Sequence, residues 1–238
     1  MEQSGNTRSN NQGGTDMYQW DWQVVWQYKQ ALLYGLLMTV WLSLLAIVLG
    51  TALGGALAFA KRSHNPIMRI LASSYIEGLR AIPILVLLLW IHYVIPSISG
   101  VTLSAFTSAV VALVLNLAAF AAENIRAGLE TVSEEQYEAG RLEGASEWQI
   151  VRYVVLPQAI RNMLPNLMDQ WITSIKLTSL ASVIGVGELL NRGGSIIGDT
   201  FRPLEVYTAL AVMYLAVIIP LVFLARAYEK RLTAKAGE

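Results

Sequence analysis

Three long stretches of this chain carry no charged side chain: residues 31–60, 81–122 (with His92 neutral) and 206–225. Roughly 20 apolar residues in a helix cross a hydrocarbon core about 30 Å thick. At about 1.5 Å per residue the 31–60 stretch can reach about 45 Å, so it is expected to tilt or protrude. The 81–122 stretch is too long for one span. It is interrupted at Pro96-Ser-Ile-Ser-Gly100, a turn-forming cluster. The pattern therefore predicts a first span over 31–60, a second near 76–95 and a third near 104–125. A fourth, more polar span is expected near 163–190 and a fifth near 205–226. The fold class that follows is an all-α integral membrane protein of about five transmembrane helices.

The fourth span is unusual because it holds Asp169, Lys176 and Glu188. Each costs about 2.5–3.5 kcal/mol at the centre of a lipid-facing helix, so this segment needs protein or water around it. Between the third and fourth spans lies a polar stretch, 126–161. Within it, residues 133–157 read SEEQYEAGRLEGASEWQIVRYVVLP. Ser133 with Gln136, and Ser146 with Gln149, have capping-box spacing. Glu134 and Glu135 suit a first helical turn, Gly144 suits a helix end, and Pro157 stops a helix or begins another. The pattern predicts two short helices joined by a tight turn at Gly144-Ala145. The second carries an apolar stripe of Ile150, Val151, Val154 and Val155. Such a loop is either an ordinary solvated connector or a docking knob for a partner.

Loop charge sets orientation, because Lys and Arg accumulate on the cytoplasmic side. One side holds eleven: Lys61, Arg62, Arg69, Arg126, Arg141, Arg152, Arg161, Arg226, Lys230, Arg231 and Lys235. The other holds four: Arg8, Lys29, Arg192 and Arg202. Five spans then put the N-terminus outside and the helical loop in the cytoplasm. The chain divides into a polar extracytoplasmic segment 1–30, a membrane domain 31–228 with its loop at about 133–157, and a cytoplasmic tail 229–238. The first 16 residues lack the basic-then-apolar order of a cleavable signal and read as disordered. The first span is expected to act as its own insertion signal.

Composition removes several function classes. The chain is 55% hydrophobic and 14% charged, with 17 basic and 17 acidic residues; soluble domains average about 25% charged. No basic field exists to hold nucleic acid. Cysteine is absent, which leaves no disulfide, thiol chemistry or cysteine-based metal site. No catalytic group and no metal site is expected. There is no Gly-x-x-x-x-Gly-Lys-Ser/Thr phosphate loop, so no ATP hydrolysis is expected from this chain.

Polar groups inside spans are functional candidates. Glu77 with Arg80, and Glu123 with Arg126, are spaced to pair along one helix face, and Pro83 can break the helix that carries the first pair. Lys176-Leu-Thr-Ser-Leu180 offers a cation and the hydroxyls of Thr178 and Ser179 to a polar solute. Those hydroxyls can instead bond their own helix. Asn116 on the third span is a further possible liner. Gly50, Gly54 and Ala58 form a small-residue face, suited to packing within the subunit or against a second one.

The segment EAGRLEGASEWQIVRYVVLPQAIRNMLP resembles the Glu-Ala-Ala loop of permease subunits of binding-protein-dependent ABC importers. Glu138, Ala139, Gly140, Gly144, Ile150, Leu156 and Pro157 occupy the places of that pattern, with Gly140 where the second Ala usually stands. Blocks such as YIEGLRAIP, AAFAAENIRAGLETV and KLTSLASVIGVGELL resemble the polar amino-acid branch, and the resemblance covers roughly 32–228. It implies a coupling helix made by Glu138, Ala139, Gly140, Arg141, Glu143, Gly144, Ala145 and Ser146. It also implies a cytoplasmic ATPase dimer holding ATP and magnesium, a second permease copy or homologous permease, and an extracytoplasmic binding protein. The site implied is a prokaryotic cytoplasmic (inner) membrane crossed several times. The family block usually has Asp where this chain has Leu177, which favours neutral or acidic amino acids over basic ones. Opines or another small polar solute on the same architecture, and a non-conducting assembly subunit, are the alternatives.

Overall fold

A computed structural model describes residues 18–236, with side chains to Lys230; the expectation for the first 16 residues lies outside the described residues. Every regular element among the described residues is helical. In chain order the α-helices are α1 (Gln23–Gln27), α2 (Lys29–Lys61), α3 (Pro66–Ala81), α4 (Ile84–Leu89), α5 (Ile95–Ser99) and α6 (Ala105–Glu130). They are followed by α7 (Glu134–Leu142), α8 (Glu147–Ile150), α9 (Leu156–Leu177), α10 (Leu189–Thr200) and α11 (Pro203–Ala236). Wider π turns over Trp90–Val94 and Val151–Val155 join α4 to α5 and α8 to α9, and a 3-10 turn over Thr178–Ile184 extends α9.

Three helices are long and apolar enough to cross a membrane unaided: Lys29–Lys61, Ala105–Glu130 and Pro203–Lys230. Two bent pairs bring the number to five when each pair is taken as one span. Pro66–Ala81 with Ile84–Ser99 bends by 106°, and Glu147–Ile184 with Leu189–Thr200 bends by 47°. The first pair contains the second span expected near 76–95, and it breaks at Pro83, where a proline can interrupt a helix. Asn65 starts α3, its Oδ1 accepting from the Ile67 N–H at 2.9 Å, with Pro66 in the first turn. Pro83 ends the run: Ile82 before it is forced to an extended backbone, φ −89° and ψ 127°. The interruption expected within 96–100 falls at its last residue. Helix α5 runs through Pro96 and stops at Gly100, whose φ is 72°.

Pro157 neither stops nor starts a separate helix; α8 and α9 form one run, so the second loop helix is not short. A proline inside a helix leaves the carbonyl four residues back without its N–H. Both Pro96 and Pro157 sit two residues after a π turn, whose wider hydrogen-bond register absorbs that loss.

The core is built on small residues. Lipid tails are as apolar as leucine, so helices in a bilayer are held by close packing rather than by hydrophobic exclusion. A Cβ on Gly50 would stand 2.9 Å from Leu117 Cβ, and one on Gly54 would stand 2.7 Å from Ala121 Cβ and 2.9 Å from the Ala118 carbonyl oxygen. Ala58 is fully buried in the same row, beside Ala121, Ala122 and Ile125. The small-residue face therefore packs α2 on α6 inside one subunit. Gly128 does the same for α6 against Met163 on α9. By contrast α11 leaves Val212, Leu215, Ile219, Phe223 and Leu224 outward.

Gly54→Val is expected to destabilise by about 1–3 kcal/mol through overpacking, read as a lowered Tm of the purified protein. Gly78 has nothing within 4 Å of a Cβ, so Gly78→Ala should leave Tm nearly unchanged. Equal effects would show that the α2–α6 contact does not set stability.

Candidate coupling surface and polar sites within the spans

The loop between α6 and α9 folds into a compact turn. Helix α7 ends in a doubly bonded left-handed turn, in which Ala145 N–H donates to Gly140 O at 3.0 Å and Gly144 N–H to Arg141 O at 3.0 Å. Gly144 has φ 79°, and nothing lies within 4 Å of where its Cβ would be. Glycine is required there for backbone conformation, not for space. Ser146 starts α8 with a complete capping box: its Oγ accepts from Gln149 N–H, and Gln149 Oε1 accepts from Ser146 N–H at 2.8 Å. The box expected at Ser133 does not form. Gln136 instead turns its Oε1 to accept from Gln158 Nε2 at 2.8 Å, tying α7 to α9.

Gly140 has a different reason. A Cβ there would come within 2.8 Å of Ile150 Cγ1, and Ile150 is fully buried. The missing side chain lets α7 lie directly on α8. Arg141 Nε donates to Glu147 Oε1 at 2.7 Å and clips the two helices together; that hydrogen bond raises the Arg141 pKa above its ordinary value. The expected coupling residues thus share one turn. Glu138, Ala139, Arg141, Glu143, Gly144 and Ser146 are exposed, while Gly140 and Ala145 are half-buried. Gly140, Gly144, Gln149 and Tyr153 are among the residues bordering a hollow of about 430 Å³.

Leu142, Trp148 and Tyr153 stand out from this turn, with Leu142 89% exposed. They were not legible as surface residues, because apolar side chains in a helical pattern ordinarily mark a buried face. Arg152 lies over the Trp148 ring at 5.4 Å.

Near the loop, the two expected ion pairs are parts of one network. Arg80 meets Glu77 at 4.0 Å, and Arg126 binds both Glu123 and Glu130. Lys61 joins them, reaching Glu77 at 3.4 Å and Glu123 at 3.2 Å. One cation thus ties the end of α2 to α3 and α6. The sequence shows Lys61 only as a loop charge, since its partners are 16 and 62 residues away.

In the fourth span, Thr178 Oγ1 donates to Ile175 O at 2.7 Å and Ser179 Oγ to Lys176 O at 2.8 Å. Both hydroxyls are turned onto their own backbone. Leu177 is half-buried and packs on the core of α2, α4 and α6, whereas Lys176 is exposed. Asn116 is buried in the body of α6.

Glu188, read from sequence only as a costly charge, is fully buried and fully engaged. It starts α10 by accepting from Leu190 N–H at 2.9 Å and Asn191 N–H at 2.8 Å. Tyr214 of α11 donates to it at 3.1 Å, and Thr39 of α2 approaches at 3.5 Å. A second buried carboxylate, Glu205, accepts from Tyr18 and from Asp21 N–H and fastens residues 18–21 to the start of α11.

Residues 46–234 match the model of the binding-protein-dependent transport system inner membrane component family. The chain is 39% identical over 215 residues to the glutamine transport system permease protein GlnP of Escherichia coli (strain K12), covering 90% of this chain and 98% of that one. It is 36% identical over 218 residues to the L-cystine transport system permease protein TcyL of Bacillus subtilis (strain 168), covering 89% and 91%. It also superimposes on a chain of the crystal structure of an amino acid ABC transporter with histidines. That match has a TM-score of 0.84 and 36% identity, covering 90% of this chain and all of that one.

Gly140→Val is expected to lift α7 off Ile150 at a cost of about 1–3 kcal/mol. Limited trypsin digestion should then cut after Arg141 several-fold faster. Adding Ile150→Ala should restore the slow rate. If the double variant is cut as fast as the single one, the Gly140–Ile150 contact does not hold the turn.

Proposed function

This chain belongs to the family of inner membrane components of binding-protein-dependent transport systems, and we propose that it is the permease subunit of an ATP-driven importer of polar amino acids. The observation that carries the coupling role is the turn at Gly144: two helices clipped together, exposed polar and apolar side chains on one tip, and a continuous helical run leading from it into the fourth span. A nucleotide-dependent partner can push on such a tip and move a membrane helix. A floppy connector would dissipate the push.

ATP and magnesium belong, in this reading, to a separate cytoplasmic ATPase dimer, because this chain has no phosphate-binding loop. A second permease, identical or homologous, completes the pathway, and an extracytoplasmic binding protein delivers the solute. The cytoplasmic membrane is the site, with the N-terminus outside and the Gly144 turn inside. The Lys and Arg bias of the loops supports that orientation.

The amino-acid cargo is supported by the resemblance to the glutamine and cystine permeases. Leu177, packed on an apolar core, supports a neutral or acidic cargo, because an ammonium or guanidinium side chain finds no acid at that position. Lys176, exposed in the span where Thr178 and Ser179 are self-bonded, is the pathway group we favour for solute contact. An opine or another small polar solute is the second reading, since it needs the same cation.

Gly144→Val forces a β-branched residue into a left-handed backbone. Uptake by proteoliposomes holding permease, ATPase and binding protein is expected to be lost, while the membrane subunits still co-purify. ATP-dependent uptake at the unmodified rate would overturn the coupling role. Uptake by this chain alone, without ATP, would overturn the whole reading.

A further inference from the structure

Arg192 lies just past the first turn of α10, and none of the contacts described above involves it. Its Nε is buried and has no hydrogen-bond partner among the described residues. It is four residues after Glu188, whose carboxylate is committed to the Leu190 and Asn191 N–H groups and to Tyr214. A guanidinium stays charged in any protein setting. Withdrawing one of its donors from water with no acceptor in return is unfavourable. The position adds a second penalty, since the start of a helix carries positive partial charge and repels a cation.

The chain nonetheless makes room for this side chain from two other elements. A Cβ on Gly187 would stand 3.0 Å from Arg192 Nη2 and 3.2 Å from Nε, and one on Gly35 of α2 would stand 3.0 Å from Arg192 Cγ. Gly187 bares the backbone beside the guanidinium, and Gly35 seats the stem. The Tyr34 ring lies 5.2 Å from the guanidinium carbon, on the side where a planar cation stacks. Leucine or methionine would fill this slot without an unpaired donor. A slot cleared by two glycines and floored by an aromatic ring, holding a planar cation whose buried Nε has no acceptor, suits a planar anion.

We propose that Arg192 is a receptor for the α-carboxylate of the amino acid passing through the permease. A guanidinium takes a carboxylate through two parallel N–H···O bonds. Neutral and acidic amino acids share that group, so the receptor fits a pathway in which Leu177 offers nothing to a cationic side chain. This rests on the amino-acid reading above. Tyr34 and Gly187 are positioning residues, fixing the plane of the fork.

The test uses the complete assembly of permease, ATPase and binding protein in lipid nanodiscs, treated with phenylglyoxal, which modifies arginine. Mass spectrometry of the peptide containing residue 192 reads the rate. A mixture of polar L-amino acids is expected to slow modification several-fold, the corresponding amino-acid amides are not, and Gly187→Ala is expected to remove the protection. Equal protection by the amides, or no protection by either, overturns the receptor. So does protection that appears with phosphatidylglycerol discs but not phosphatidylcholine discs and ignores amino acids, since the anion would then be a lipid phosphate. A second measurement needs no reagent. Arg192→Met is expected to cut amino-acid uptake by proteoliposomes several-fold with no loss of assembled complex, and unchanged uptake overturns the proposal. Wild-type proteoliposomes run alongside separate the two readings. Uptake without protection sinks only the receptor, whereas no uptake of any amino acid sinks the cargo assignment and the receptor together.

Discussion

The near-contact of two helix backbones, α2 on α6, is the constraint from which the rest of the structure follows. Gly50 and Gly54 bring α2 so close to Leu117, Ala118 and Ala121 that a single added carbon would collide. In lipid this closeness is itself the attraction, since apolar side chains are as well solvated by acyl chains as by each other. With α2 and α6 fixed as one unit, α3 is tied on through Lys61. Helix α9 follows through Gly128 and Met163. Helix α11 packs along α9 and is fastened near its start by Glu205 and, through Tyr214, by Glu188.

Around that rigid pair the chain tolerates breaks, provided each freed backbone group finds a partner. A bilayer offers none, so the partners come from the protein. The π turns before Pro96 and Pro157 let the helix run past a missing N–H. Glu188 does the opposite job, supplying a buried acceptor to the first N–H groups of α10. Its carboxylate looks out of place in an apolar segment only until the helix break at Gly185 is seen. What reads as a liability in the sequence is the cap that makes the break affordable.

The number of spans, the helical loop and the glycine end of α7 were legible because each has a local cause: charge-free length, capping spacing, a left-handed position. The bend at Pro83 was half-legible. Proline announces a break but not its 106° angle, which is set by how the two halves pack. Three things were not legible. The junction of the Glu77 and Glu123 pairs through Lys61 depends on residues far apart in sequence. The Ser133 box was undone by a competing partner, Gln158, that only folding brings near. The exposure of Leu142 and Trp148 contradicts the rule that apolar residues turn inward. Of the candidate solute contacts, spacing located the polar side chains but not the direction of their hydroxyls.

From Glu147 to Ile184 the backbone is one continuous helical run, about 55 Å at about 1.5 Å per residue. Its first residues are fixed to the turn at Gly144 by the Ser146 capping box, and its middle rests on Gly128. One unbroken backbone therefore joins the Gly144 turn to the break at Gly185, where the Glu188 cap and the slot of Arg192 both sit.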